Sequence, residues 1–356
     1  METAYLVLSN GRCFSGRRIG ARGDCVGELV FNTGMVGYQE TLTDPVCAGQ
    51  IVVQTFPQIG NYGVMPEDAE SACPVAGYVV RELCDTPSNF RSAGGLDSFL
   101  REKGVPGICG VDTRELTRIL RDEGVMNAMI CSAVPKDLSV PEERTGNSAV
   151  ARFSQKETSV HAAEKEQRYA VTLLDYGAKG NILPCLQKRG CTVTVVPHDT
   201  SAEAILSAHP DGVLLSDGPG DPAECIPEIE QLKRLIGKLP VFGIGLGHQL
   251  AALALGGKTV KLPYGHRGAN QPVRELDGTR TYITAQNHGY AVVSESLAGI
   301  GRELYGNAND GSCEGMDYPA QRCFTVQFRP ETCGGPQDMS FLYDRFVGMM
   351  GGNTNA

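Results

Sequence analysis

The segment Pro240-Val-Phe-Gly243-Ile-Gly245-Leu-Gly247-His-Gln249 constrains the fold more than any other stretch of the chain. An apolar run of strand type meets a helical run through a turn in which every second residue is glycine. This is the layout of a nucleophile elbow, where a tight backbone lifts one side chain above the edge of a sheet. The elbow position is Gly245. Glycines on both sides let the flanking chain approach closely, and the helix opening near Gly247 turns its first amides toward the site. Amides so placed stabilise an oxyanion. Glycine itself, however, offers no atom with which to attack.

The surroundings of this elbow alternate strand and helix at the spacing of a parallel sheet. Strands are predicted at Tyr169–Asp175, Thr192–Pro197, Gly212–Ser216 and Pro240–Ile244. Helices are predicted at Asn181–Arg189, closed by Gly190, and at Glu224–Gly237 and Gly247–Leu255. The order favours a doubly wound α/β domain over 169–356, with its site at the C-terminal ends of the strands. Residues 1–134 read instead as a mixed, β-rich α/β domain of short strands, among them Tyr5–Leu8 and Gly27–Phe31. Its clearest helix runs from Asp112 to Glu123, with Asp112 or Thr113 as cap and Leu116, Ile119 and Leu120 on one face. Residues 135–168 turn polar and read as a connector, with room for a short helix.

Charge and cysteine usage remove several function classes. A net charge of −9 and the lack of any long Lys/Arg run exclude a nucleic-acid surface built on phosphate contacts. No apolar run approaches the roughly 20 residues of a membrane span. The N-terminus has no basic segment followed by an apolar stretch, so the 13 cysteines read as reduced thiols of a cytoplasmic protein. The close pairs Cys185/Cys191 and Cys323/Cys333 lack zinc-site spacing, and no metal is expected.

The elbow resembles that of class I glutamine amidotransferases, Gly-Ile-Cys-Leu-Gly-His-Gln, with Gly245 at the cysteine position. Val326-Gln-Phe-Arg329-Pro-Glu331 is similar to the family's Gln-x-His-Pro-Glu segment, with Arg329 at the histidine position and Glu331 matching the orienting carboxylate. An arginine stays protonated and takes no proton from a thiol. The resemblance implies an oxyanion hole from the loop Ser216-Asp-Gly218-Pro-Gly220-Asp-Pro and the Leu246 amide. It implies a glutamine pocket lined by Gln249, Asn287, Gly289 and Tyr290, with Gly34 as the first domain's contribution.

That first domain narrows the family. Phe31 through Pro45, Pro57 through Gly63, Ser88-Asn-Phe-Arg91, Gly110 through Arg114 and Asp175 through Asn181 resemble the small subunit of carbamoyl-phosphate synthetase. The resemblance implies a large-subunit partner that performs the ATP, Mg and bicarbonate chemistry, with no cofactor in this chain. It also implies arginine or pyrimidine biosynthesis and, from Gly245 and Arg329, a glutaminase-deficient subunit of an ammonia-dependent complex. A stand-alone glutamine-binding regulatory protein is the alternative. A third reading keeps catalysis through a displaced dyad, His248 or His288 with Cys225 or Cys333. The bland readings are a surface Arg329–Glu331 ion pair of little weight and hydrogen-bonded structural histidines.

Overall fold

The computed structural model describes residues 2–136, 138, 140–141, 148–331 and 335–352, in two compact units that divide at Thr145/Gly146. In the first unit seven strands close into a barrel. Their order around it is Thr3–Leu8, Cys13–Gly20, Pro106–Cys109, Gly77–Val80, Gln50–Gln54, Cys25–Asn32 and Met126–Cys131. The run from Cys25–Asn32 through Gln50–Gln54 and Gly77–Val80 to Pro106–Cys109 is parallel, and the remaining pairings are antiparallel. Buried strand residues such as Ile19, Val30, Val52, Tyr78 and Val80 build one core with Leu96 and Leu100 of the short helix Leu96–Glu102. Closure leaves the barrel no unpaired edge. The predicted helix forms as Thr113–Glu123, its first amides capped by Asp112 and its buried face carried by Leu116, Ile119 and Leu120.

The second unit is built on a ten-stranded sheet. Its centre holds Cys191–Pro197, Tyr169–Asp175, Gly212–Leu215, Val241–Ile244 and Cys323–Val326 side by side and parallel. Of these, Gly212–Leu215, Val241–Ile244 and Cys323–Val326 are buried on both faces and accordingly read as nearly continuous apolar runs. Valines and leucines of one face pack against the elbow helix Leu246–Ala254 and the helix Ile226–Leu235. The other face packs Phe242 on Phe324, with ring centroids 4.4 Å apart, under the C-terminal helix Phe341–Met350. The antiparallel strands Cys313–Tyr318, Thr281–Val293, Lys258–Glu275 and Arg302–Asn307 extend the sheet beyond Cys323–Val326.

The stretch expected as a connector carries more structure than a linker. Within it, Ser148–Phe153 is helical, and Ser159–His161 pairs antiparallel with Cys191–Pro197 as the edge strand of the second unit. Its three residues are too few for alternation to reveal. Among the described residues no helix is long and apolar enough to cross a membrane.

Candidate functional site

The neighbouring parallel strands Gly212–Leu215, Val241–Ile244 and Cys323–Val326 end together. Their C-terminal ends release Ser216-Asp217-Gly218, Gly245 and Gln327-Phe-Arg329-Pro-Glu331, respectively. Topology alone therefore brings three distant sequence motifs to one edge, as expected of a doubly wound sheet. The elbow forms as predicted. Gly245 caps the helix Leu246–Ala254 with φ +55° and ψ −111°, a region that residues with a Cβ seldom occupy. Its N–H donates to Val326 O (2.9 Å), and Gly247 N–H donates to Ser216 O (3.0 Å), tying the turn to both neighbouring segments. Gly247 approaches so closely that a Cβ would lie 2.5 Å from Leu215 O.

The space above the apex is filled. A Cβ at residue 245 would stand 2.1 Å from Asp217 Oδ1 and 2.2 Å from its Cγ. The Asp217 carboxylate is held there from both sides. Oδ1 accepts from the backbone N–H groups of Gly218 (2.8 Å) and Leu246 (2.9 Å). Oδ2 accepts from Arg329 Nε (2.8 Å) and Nη2 (2.7 Å). Asp217 and Arg329 are both buried, at 4% and 6% exposure. A buried carboxylate needs such compensation, and charge-assisted bonds to a guanidinium supply it. Arg329 is thus no partner in a surface pair with Glu331. Its charge is directed into the elbow, where its residue type alone would not have placed it.

The remaining predicted residues fall into two groups. Gly218, Gly220, Leu246, Gln249, Asn287, Gly289 and Tyr290 all belong to the second unit. Gln249 is buried, and its Nε2 donates to Tyr290 O and to Gln327 Oε1, both at 2.9 Å. That amide is committed to holding the strand Thr281–Val293 and the segment after Val326 against the helix. Gly34 belongs to the first unit, where its N–H donates to Asn32 Oδ1 and its carbonyl accepts from Gln54 Nε2. Glu331 is 4% exposed; its Oε1 has no hydrogen-bond partner among the described residues, and its Oε2 lies 3.4 Å from the Tyr343 hydroxyl. Burial pushes its carboxyl up to about 7, against the opposing pull of Arg329 and Lys179.

For His248 and Cys225 the displaced-dyad reading finds no support in protonation. His248 donates or accepts at Thr325 Oγ1 through Nδ1 (2.7 Å), and complete burial depresses it to about 3. Burial pushes the Cys225 thiol up to about 12, so it carries no thiolate at neutral pH. Cys333 lies outside the described residues.

Sequence reasoning missed one cluster because its members are scattered along the chain. His266 Nδ1 meets His288 Nε2 at 3.2 Å and Glu314 Oε1 at 3.5 Å, while His266 Nε2 meets Asp310 Oδ2 at 2.9 Å. His288 Nδ1 faces Tyr290 O at 2.8 Å, which leaves its Nε2 as an acceptor. Burial alone would lower His266, but hydrogen bonds to Asp310 and Glu314 outweigh it and push it up to about 9. Its charge therefore stabilises the native state below about pH 6.5, and that contribution is lost as pH rises through about 9. Asp310→Asn should remove about 2 kcal/mol at pH 6, allowing for the partial exposure of Asp310, and little at pH 10. Urea denaturation at the two pH values checks this; equal losses at both would refute it.

The fold and the glycine elbow define a class I amidotransferase unit that follows a seven-stranded barrel along the chain. Comparison with known proteins agrees over both units. Residues 6–130 match the CPSase domain of the carbamoyl-phosphate synthase small chain, and residues 172–349 match glutamine amidotransferase class I. The carbamoyl phosphate synthase small chain of Listeria innocua is 47% identical over 353 residues, covering 98% of this chain and 97% of the relative. A pyrimidine-specific small chain from Halalkalibacterium halodurans is 46% identical over 359 residues, covering 98% of each. The chain belongs to the carbamoyl-phosphate synthase small chain family.

Proposed function

We propose that this chain is a small subunit of carbamoyl-phosphate synthase that no longer hydrolyses glutamine and supports an ammonia-dependent complex. The observation that carries the reading is the apex of the elbow: residue 245 has no side chain, and the Asp217 carboxylate occupies the place where one would begin. In a class I site a thiolate attacks the glutamine amide carbon, the carbon–nitrogen bond breaks, and ammonia leaves with a proton from the neighbouring base. Here neither sulfur nor imidazole stands at those positions. Glu331 remains, a carboxylate whose orienting role has no histidine to act on.

The large subunit is the proposed partner and the proposed site of ATP and Mg chemistry; pyrimidine synthesis is the proposed destination, as the name of one relative suggests. The protein is taken to work in the cytoplasm. The stand-alone glutamine sensor is the weaker reading, because the Gln249 amide and the Leu246 N–H are already bonded within the protein.

The decisive experiment assays carbamoyl-phosphate formation by this chain with a cognate large subunit, using glutamine and then ammonium as nitrogen donor. Ammonium should support turnover. Glutamine should fall at least about 10³-fold below it, the scale of losing an activated nucleophile. Comparable rates with both donors would overturn the reading.

A further inference from the structure

Resting on the assignment of residue 245 as the nucleophile position, we propose that Asp217 is the built-in occupant of the oxyanion hole. With Gly245 and Arg329 it forms an interlocked set of three residues that together keep the site closed. The absence of a cysteine is then only one third of the inactivating change.

Oxyanion holes work by aiming backbone N–H groups at a point where negative charge develops. The Leu246 N–H, at the start of the elbow helix, already points at a negative oxygen, Asp217 Oδ1, at 2.9 Å, and the Gly218 N–H meets the same oxygen at 2.8 Å. The hole is occupied by the protein's own carboxylate, at the geometry a substrate oxyanion would require.

Each member of the set needs the other two. Asp217 fits only because Gly245 has no Cβ, which would otherwise collide with it at 2.1 Å. The buried Asp217 carboxylate is compensated because Arg329 donates to its second oxygen through two nitrogens. Arg329, 6% exposed, finds at Asp217 the counter-charge that a buried guanidinium requires. The carboxylate cannot swing aside cheaply, since four donors fix its two oxygens.

A specific consequence follows for any attempt to restore catalysis. Placing cysteine at 245 and histidine at 329 puts the new Cβ against the Asp217 carboxylate and leaves that carboxylate without its guanidinium. It also sets a negative charge beside the thiol, which disfavours thiolate, and keeps the two amides engaged. Vacating residue 217 as well frees the apex and the hole. The chemistry then balances with glutamine and water alone. The introduced thiol gives its proton to the introduced imidazole, and its sulfur bonds to the amide carbon. The imidazole passes that proton to the leaving nitrogen as ammonia departs, and water then cleaves the thioester to glutamate and regenerates the thiol.

The test compares the full-length G245C/R329H chain with D217A/G245C/R329H, each assembled with the large subunit. The triple variant should release ammonia from glutamine at least about 100-fold faster than the double, the scale of an oxyanion-hole loss. Alkylation of the thiol introduced at position 245 by iodoacetamide, followed by peptide mass spectrometry, should be at least about tenfold faster in the triple variant, because that thiol is no longer beside a carboxylate. Equal ammonia release by the two active variants, or equal alkylation rates where neither is active, would overturn the proposal. Should the double variant fail to fold, the melting temperature decides. Gly245→Ala should depress it markedly in the natural background and much less in D217A/R329M; equal depressions would overturn the proposal. Ammonia release by the unaltered chain would instead overturn the glutaminase-deficient reading and leave the three-residue comparison to stand on its own result.

Discussion

Arg329→Met should destabilise the second unit by about 3–5 kcal/mol, among the largest single-residue effects expected of this protein. The substitution removes both donors to Asp217 Oδ2 and leaves a carboxylate that is 4% exposed with only its two backbone partners. Such a loss is severe because a half-broken buried pair retains the desolvation cost of the remaining charge. For a unit of this size it corresponds to a fall in melting temperature of roughly 6–20 °C. Removing both charges together, as in D217A/R329M, should be far milder. Replacing a whole buried pair by apolar groups is often nearly neutral. Denaturation of the two single variants and the double gives the coupling energy, which should exceed about 2 kcal/mol, as for residues in direct contact. Additive losses would show that Arg329 acts through something other than Asp217.

This pair also marks the limit of what the sequence discloses. The elbow was legible because glycine at alternate positions between an apolar strand and a helix has few other uses, and Gly247 and Gly245 are indeed placed by close approach and positive φ. The parallel strands were legible because their burial on both faces demands apolar runs such as Gly212–Leu215 and Val241–Ile244. Asp217 was readable only as one member of a substrate loop. Its role depends on where a carboxylate points relative to a residue 28 positions away, and no periodicity encodes that. Of the readings open for Arg329, the surface ion pair is the one the structure overturns: a charged residue is ordinarily exposed, and its burial here depends on a counter-charge in the loop after the strand Gly212–Leu215. The same holds for His266, whose partners Asp310 and Glu314 are 44 and 48 positions further along. Closure of the barrel was equally hidden, since short strands such as Pro106–Cys109 carry too few residues to announce their neighbours.

Glu331→Gln should stabilise the protein at pH 8 by about 2–3 kcal/mol, an unusual direction for a substitution at a candidate catalytic carboxylate. The natural carboxyl is pushed up to about 7 by burial, above the 4.5 expected when the chain is unfolded. The native state therefore holds this proton more tightly than the unfolded state does. The group is at its most favourable below about pH 4.5, and stability drains away as pH rises through about 7, at roughly 1.4 kcal/mol per unit of displacement. Above pH 7 the fold carries a buried anion whose Oε1 has no hydrogen-bond partner among the described residues and whose Oε2 makes a long contact to Tyr343, with Arg329 and Lys179 offsetting only part of the burial cost. A neutral amide avoids that penalty at every pH. The difference between urea-denaturation stabilities of Glu331→Gln and the unaltered chain should be small at pH 4.5 and grow to a plateau above pH 7. A difference that stays flat over this range would show that Glu331 is not the group responsible. In an operating triad such a carboxylate faces an imidazole that can become charged, and the stability it costs alone is offset by that partner. Here Arg329 directs its guanidinium to Asp217, and the pull of Arg329 and Lys179 on Glu331 does not outweigh the cost of its burial.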